Sequence, residues 1–265
     1  MRLITCIIFL VGSVNLYAQT SELKFTGVKI FVTDLKIAED FYSRILGFKV
    51  SGQTESQLEL ETNTWPITLA LASEMAAPGY PANARTGLSL QTHKLLPQID
   101  AFREKGVKLH DSRLSRNGVG ISIPFEDPFG NVMTIIEIQI REVVKFEGVK
   151  IYNTGVAIPN MDAATAFYEG ILGYEEWSRD YLPAALPLKH SDGSFAFMIH
   201  YEKGLAKNAN TYKKNSQIVL LMSTPNLESV KSGLNKESIV ESKKGFLVLR
   251  DPERNLVEVT ESSKP

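Results

Sequence analysis

The chain contains two copies of one sequence pattern, and this duplication constrains its fold more than any other feature. The first copy carries four segments: Val-Thr-Asp-Leu (32–35), Phe-Tyr (41–42), Ile-Leu-Gly-Phe (45–48) and Asp-Pro-Phe-Gly-Asn (127–131). Their counterparts return in the same order: Ile-Pro-Asn-Met (158–161), Phe-Tyr (167–168), Ile-Leu-Gly-Tyr (171–174) and Asp-Pro-Glu-Arg-Asn (251–255). The offset is 126 residues from Asp34 to Asn160 and 124 residues from Asp127 to Asp251. Matches this far apart in nearly one register indicate an internal repeat.

Hydrophobic periodicity changes in a fixed order within each half. Alternating apolar residues predict strands, and apolar residues at helical spacing predict helices. In the first half the order is a strand at 28–32, a helix at 37–46 and strands near 48–51, 57–62 and 67–72, then a strand from 88, a helix at 95–105 and strands near 107–110, 119–125 and 131–138. The second half has strands and helices near 153–158, 162–171, 174–178, 183–189, 195–201, 217–222, 226–233, 245–250 and 255–260. We therefore predict an α+β fold of four β-α-β-β-β modules. Residues 139–150 would join the halves, and residues 202–216 would form a surface loop.

The N-terminal segment is typical of a secretory signal peptide. Arg2 precedes an apolar run at 3–14, and Ala18 offers a small residue for cleavage. The run is shorter than the roughly 20 residues that span a bilayer. We expect residues 1–18 to be removed and the mature protein to be exported to the periplasm or the cell exterior; a buried N-terminal strand is the alternative. The only cysteine, Cys6, would be lost with this segment, so we expect no disulfide and no cysteine ligand.

Charge and composition restrict the partners. The 29 basic residues nearly balance the 30 acidic ones, giving a net charge of −1, so no strong field would attract a polyanion. We therefore expect neither a nucleic-acid partner nor a membrane span, and a small molecule as the partner. The oligomeric state, monomer or homo-oligomer, stays open.

The repeated segments and the Asp-Pro-x-Gly-Asn turn resemble those of the vicinal oxygen chelate (VOC) superfamily, which includes glyoxalase I, extradiol dioxygenases and bleomycin-resistance proteins. The resemblance covers residues 25–262. It implies two tandem glyoxalase-like domains, at 25–140 and 150–262, with open sheet-lined clefts. Catalytic members bind a divalent metal there through His, Gln or Glu. The metal acts as a Lewis acid toward two neighbouring oxygens.

The positions implied by this resemblance are poor in metal ligands. In the first half they fall on Gly27, Ala70, Gly87 and Thr134. In the second half they fall on Asn153, Met198, Gln217 and Glu258. Zinc and iron favour imidazole and carboxylate ligands. A metal held by Glu258, Gln217 and Asn153 is thus conceivable but disfavoured, and we expect no cofactor. Glu137 would reach the cleft only through a β-bulge.

Further candidates come from strand alternation. Glu258 would be a general base, a contact for a polar ligand group or a solvated carboxylate. His200 shares a face with Met198; it is a second catalytic candidate or a histidine hydrogen-bonded at a strand end. Lys29 and Phe31 share the face of Gly27 and would contact a ligand, with Lys29 either pairing with an anion or reaching solvent. Asn153 and Gln217 are further ligand-binding candidates.

Two hypotheses about function follow. The first is an exported VOC protein that binds a small organic molecule in a cleft whose metal site has degenerated, as in the bleomycin-resistance type. The second is a metal-dependent glyoxalase, lyase or dioxygenase with one active site in the second half, around Glu258.

Overall fold

The computed structural model describes residues 23–74, 86–110, 113–116, 118–139, 145–182, 184–201 and 218–262. The predicted signal peptide, the predicted loop at 202–216 and Gln217 lie outside these residues. Within the described part of the chain, no helix is long and apolar enough to cross a membrane.

All four predicted modules are present. The first consists of β1 (Lys24–Val32), α1 (Leu35–Glu39), β2 (Lys49–Gln53), β3 (Gln57–Glu61) and β4 (Ile67–Leu71). The second consists of β5 (Thr86–Gln91), α2 (Leu95–Glu104), β6 (Ser115–Arg116), β7 (Gly120–Glu126) and β8 (Val132–Ile138). The third consists of β9 (Lys150–Ile158), α3 (Met161–Thr165), β10 (Glu175–Glu176), β11 (Ala185–Lys189) and β12 (Phe195–Tyr201). The fourth consists of β13 (Ile218–Thr224), α4 (Leu227–Ser232), β14 (Ile239–Lys243), β15 (Phe246–Arg250) and β16 (Leu256–Glu261).

The modules pair across the two halves of the sequence. The first and fourth modules form one eight-stranded sheet, β14-β15-β16-β13-β1-β4-β3-β2, called here the first sheet. The second and third form another, β10-β11-β12-β9-β5-β8-β7-β6, called the second sheet. Antiparallel pairing of β1 with β13, and of β5 with β9, joins the modules at the centre of each sheet. Each sheet therefore draws on both predicted domains, although the boundaries 25–140 and 150–262 still describe the sequence repeat.

One hydrophobic core covers one face of both sheets. Val28 and Ile30 of β1 and Val257 of β16 face it, together with the helices. The opposite face of the first sheet carries a smaller apolar cluster: Phe31, Ala70, Val219, Val248 and Leu256. We call the face turned away from the main core the distal face of each sheet. Because side chains alternate along a strand, Lys29 and Glu258 lie on the distal face of the first sheet.

The repeated Phe-Tyr and Asp-Pro segments join each helix to a hairpin. The hydroxyl of Tyr42 donates to Asp127 at 2.9 Å, and that of Tyr168 donates to Asp251 at the same distance. Both tyrosines lie just beyond α1 and α3, in π-helical continuations (Asp40–Ile45 and Ala166–Ile171). These contacts link the first module to the second and the third to the fourth. The sheets instead pair the first module with the fourth and the second with the third. The repeated segments thus hold the fold together rather than line a cleft.

One predicted strand is absent, and the strands β6 and β14 were not predicted. Residues 107–110 form no strand, and only Leu109 makes an isolated bridge, to Phe125; β6 takes the edge position instead. The strand β14 was not predicted. Its partly buried residues alternate poorly because its pairing with β15 shifts between Ile239 and Glu241.

Candidate functional site

An ion pair between Lys29 and Glu258 lies near the centre of the first sheet's distal face. The Lys29 ammonium donates to Oε2 of Glu258, and only 17% of the lysine side chain and 8% of the glutamate side chain are exposed. The two residues come from β1 and β16, which β13 separates. Lys29 is level with Val219, and Glu258 with Leu221, so the lysine reaches diagonally across β13. The structure therefore brings together two candidates that lie in different halves of the sequence.

Apolar side chains surround this ion pair. Phe31 is 1% exposed, and the Lys29 ammonium lies 6.0 Å from its ring centroid. Val248 pairs directly with Glu258, and Val219 with Lys29. An ion pair in such apolar surroundings is poorly solvated, so each charge depends on the other.

A second polar contact lies beside the ion pair, on the same face of the first sheet. Thr68 is the β4 neighbour of Lys29, and its hydroxyl donates to Oε2 of Glu59 at 3.0 Å. Neither Glu59 nor Thr68 was predicted from the sequence. The alternation of Glu59 with the buried Leu58 and Leu60 was a usable signal, because it turns Glu59 away from the core.

The position of Gly27 excludes a side chain. A Cβ atom built there would lie 2.5 Å from the carbonyl oxygen of Pro66. The glycine has φ 153° and follows a shift of the β1–β13 register after Phe25. A residue with a metal-binding side chain therefore cannot occupy this position without moving the backbone.

The second sheet carries a different set of candidates. Asn153 lies on β9, and its Nδ2 donates to the sulfur of Met198 at 3.0 Å. His200 follows Met198 on the same face of β12, and its ring packs over Gly155. Burial lowers the pKa of His200, which favours the neutral imidazole. Thr134 and Asn153 both pair with Ser89, from opposite sides.

The donor sets do not fit a divalent metal. The predicted grouping of Glu258, Gln217 and Asn153 is not formed by the described residues, because Asn153 belongs to the second sheet and Glu258 to the first. Glu258 is paired with an ammonium group, and Gly27 offers no ligand atom. At the candidate positions described above, the second sheet offers amide, hydroxyl, thioether and single imidazole groups. Among the described residues, no group of three His, Cys, Asp or Glu side chains is close enough to hold a metal ion.

Other candidates have structural roles. Glu137 accepts a hydrogen bond at 2.9 Å from the backbone N–H of Leu95 and so caps α2. His110 contacts Glu126 at 2.8 Å. His190 begins a turn, and its Nε2 accepts from the backbone N–H of Phe25 at 2.9 Å, which ties the two sheets together.

Comparisons with known proteins agree with this fold. Residues 24–135 match the Glyoxalase/Bleomycin resistance protein/Dioxygenase superfamily. Glyoxalase I from Zea mays is 13% identical, with a TM-score of 0.64 over 92% of this chain and 94% of that chain. A putative dioxygenase from Bacillus subtilis is 12% identical, with a TM-score of 0.58 over 91% of this chain and 85% of that chain. At these identities the likeness shows the fold alone. The search of curated proteins gives no match.

Proposed function

We propose that this protein, whose residues 24–135 match the Glyoxalase/Bleomycin resistance protein/Dioxygenase superfamily, binds a small organic molecule on the distal face of its first sheet, without a metal ion at Glu258. The observation that carries this proposal is the ion pair of Glu258 with Lys29. The pairing neutralises the one carboxylate that the implied metal positions retain. A cation bound at Glu258 would have to displace the ammonium group and leave it in apolar surroundings, at a large cost in free energy.

The lining of this face suits an organic molecule with one polar group. Phe31, Val219, Val248 and Leu256 form an apolar cluster around the ion pair, and each is at most 3% exposed, so a ligand would contact them only when this face opens. The ammonium group of Lys29, whose side chain is 17% exposed, would be shared between Glu258 and an anionic or strongly polar substituent of the ligand. Small-molecule sites commonly combine an apolar lining with a few such polar groups. We therefore expect an aromatic or aliphatic carboxylate to bind better than its neutral counterpart on this face.

Binding is tested with para-fluorobenzoate, followed by fluorine NMR. The expected result is saturable binding that Lys29→Met weakens about tenfold or more, because the charged contact is lost. Lys49→Met is the matched control, since Lys49 forms an exposed ion pair with Glu61 on the same sheet. Equal weakening by both substitutions, or by neither, would contradict the proposed contact.

Metal retention is tested on the same protein. The protein is incubated with salts of zinc, manganese, iron, nickel and magnesium, desalted and measured by plasma mass spectrometry. We expect far less than one equivalent of any metal, and the same amount after Glu258→Gln. One retained equivalent that disappears in Glu258→Gln, but not in the control Glu61→Gln, would instead support the metal-dependent enzyme.

Export is also part of the proposal, supported by the signal-like composition of residues 1–18. Mass spectrometry of the protein expressed in a bacterium should find a form that begins near residue 19 outside the cytoplasm. Retention of the full-length chain in the cytoplasm would contradict export.

A further inference from the structure

Among the described residues, the centre of the second sheet's distal face has no counterpart of the Lys29–Glu258 pair. Six residues at its centre are Gly87, Ser89, Thr134, Asn153, Met198 and His200. None carries a fixed charge, and all come from the central strands β5, β8, β9 and β12. The two distal faces therefore differ in chemistry although their modules are repeats of one pattern.

Asn153 is buried with half of its amide unsatisfied. The residue is 5% exposed, and Nδ2 donates to the sulfur of Met198, which is a weak acceptor. Its Oδ1 is fully buried and has no hydrogen-bond partner among the described residues. A buried carbonyl oxygen without a donor costs stability, so native proteins rarely keep one without a purpose. No described residue supplies a donor to this oxygen, which leaves its acceptor capacity available to a bound molecule.

His200 adds a second polar group beside it. Its ring occupies the space that a side chain at Gly155 would need: a Cβ there would lie 2.8 Å from Nε2 and 2.7 Å from Cδ2. Gly155 follows Asn153 by two residues on the same strand face, so the ring lies next to the asparagine. The ring of His200 makes no hydrogen bond to any described residue. A neutral imidazole in this place offers one donor and one acceptor nitrogen.

We propose that this face is a second binding site, which takes an uncharged small molecule through an N–H or O–H group donated to Oδ1 of Asn153, with His200 as the other polar contact. An amide, alcohol or phenol has the required chemistry. A carboxylate does not, because it has no donor and the six central residues offer no cation to pair with it. This site is separate from the one proposed around Lys29, and either can exist without the other.

Two neutral probes of nearly the same shape test the donor requirement. Para-fluorobenzamide carries an NH₂ group where para-fluoroacetophenone carries a methyl group, and fluorine NMR measures the binding of each. We expect the amide to bind about tenfold more tightly, because only the amide satisfies Asn153. Asn153→Leu should abolish this preference, and the Cε1–H signal of His200 should shift on adding the amide. Equal binding of amide and ketone, or a preference that survives Asn153→Leu, would overturn the proposal.

The Tm distinguishes an Asn153 that serves a ligand from one that only supports the fold. Asn153→Leu keeps the branched shape and removes the unsatisfied oxygen, so the Tm should rise by about 2–4 °C while amide binding is lost. Asn63→Leu is the matched control, because both amide atoms of Asn63 are bonded to the backbone of Ile151 (3.2 and 2.8 Å). It should lower the Tm. A fall in Tm for Asn153→Leu as large as the control's would overturn the proposal.

His200→Phe gives an independent check, since phenylalanine keeps a ring over Gly155 and removes both nitrogens. Binding of the amide should weaken several-fold, and unchanged binding would remove His200 from the site. The para-fluorobenzoate experiment with Lys29→Met addresses the first sheet alone. Its failure would leave the amide result standing, so the two proposals fail separately.

Discussion

Separating the charges of Lys29 and Glu258 should cost far more stability than separating an exposed pair. Only 17% of the Lys29 side chain and 8% of the Glu258 side chain are exposed. Removing one partner of a fully buried pair typically costs about 3–5 kcal/mol. Because Lys29 can extend part of its stem to water, we expect about 2–3 kcal/mol for Glu258→Gln and a similar or larger loss for Lys29→Met.

The double substitution should recover most of this loss. Lys29→Met with Glu258→Leu replaces both charges by apolar side chains next to Phe31 and Val248, and such replacements of buried pairs are often neutral. The coupling energy in a double-mutant cycle should therefore reach at least about 2 kcal/mol. Urea unfolding followed by circular dichroism measures each free energy of unfolding.

The exposed pair of Lys49 and Glu61 is the control for this cycle. Their side chains are 78% and 60% exposed, and such pairs contribute about 0.2–1 kcal/mol. A coupling energy for Lys29 and Glu258 no larger than that of the control would refute the reasoning. It would mean that water reaches the pair freely and that the lysine does not compete with a cation at Glu258.

Three further predictions concern the repeated contacts. Tyr42→Phe and Tyr168→Phe should each lower the free energy of unfolding by about 1–2 kcal/mol, because a buried carboxylate loses one donor; urea unfolding checks this, and a loss in only one copy would contradict the equivalence of the two contacts. Burial raises the pKa of Asp251 to about 6, although four hydrogen bonds oppose this. The folded state therefore binds this proton more tightly than the unfolded state, so this group's contribution to stability is present at low pH and falls by on the order of 2–3 kcal/mol as the pH rises from about 4 to about 6; the slope of unfolding free energy against pH should flatten in Asp251→Asn, and an unchanged slope would refute it. Arg254 has φ 70° where its counterpart Gly130 has φ 86°, so Arg254→Gly should stabilise the protein by roughly 0.5–1 kcal/mol in thermal unfolding, and a destabilised variant would show that the turn is unstrained.

The modules and their elements could be predicted from the sequence because local patterns specify them. Alternation in β1 and helical spacing around Phe41 are properties of a few neighbouring residues. The strained turn at Arg254 was also foreseeable, since glycine occupies that place in the first copy. Its hydrogen bonds repeat those of the first turn: Gly130 N–H to Asp127 at 3.1 Å and Arg254 N–H to Asp251 at 2.9 Å.

Pairing between modules could not be predicted in this way. The alternating face of β1 would be buried equally well beside β5 or β13, because both are apolar strands of similar length. The choice depends on contacts far apart in sequence, such as Tyr42 with Asp127. For this reason Lys29 and Glu258 were identified separately and not as partners. Asn153 was grouped with Glu258 and Gln217, although the structure places Asn153 in the second sheet and Glu258 in the first.

Crystals soaked in zinc or nickel salts test the central claim most directly, by anomalous diffraction at the metal edge. We expect no anomalous peak beside Glu258, and we expect electron density for the Lys29 ammonium in contact with the Glu258 carboxylate. A peak about 2.0–2.2 Å from a carboxylate oxygen of Glu258, with Lys29 turned away, would contradict it.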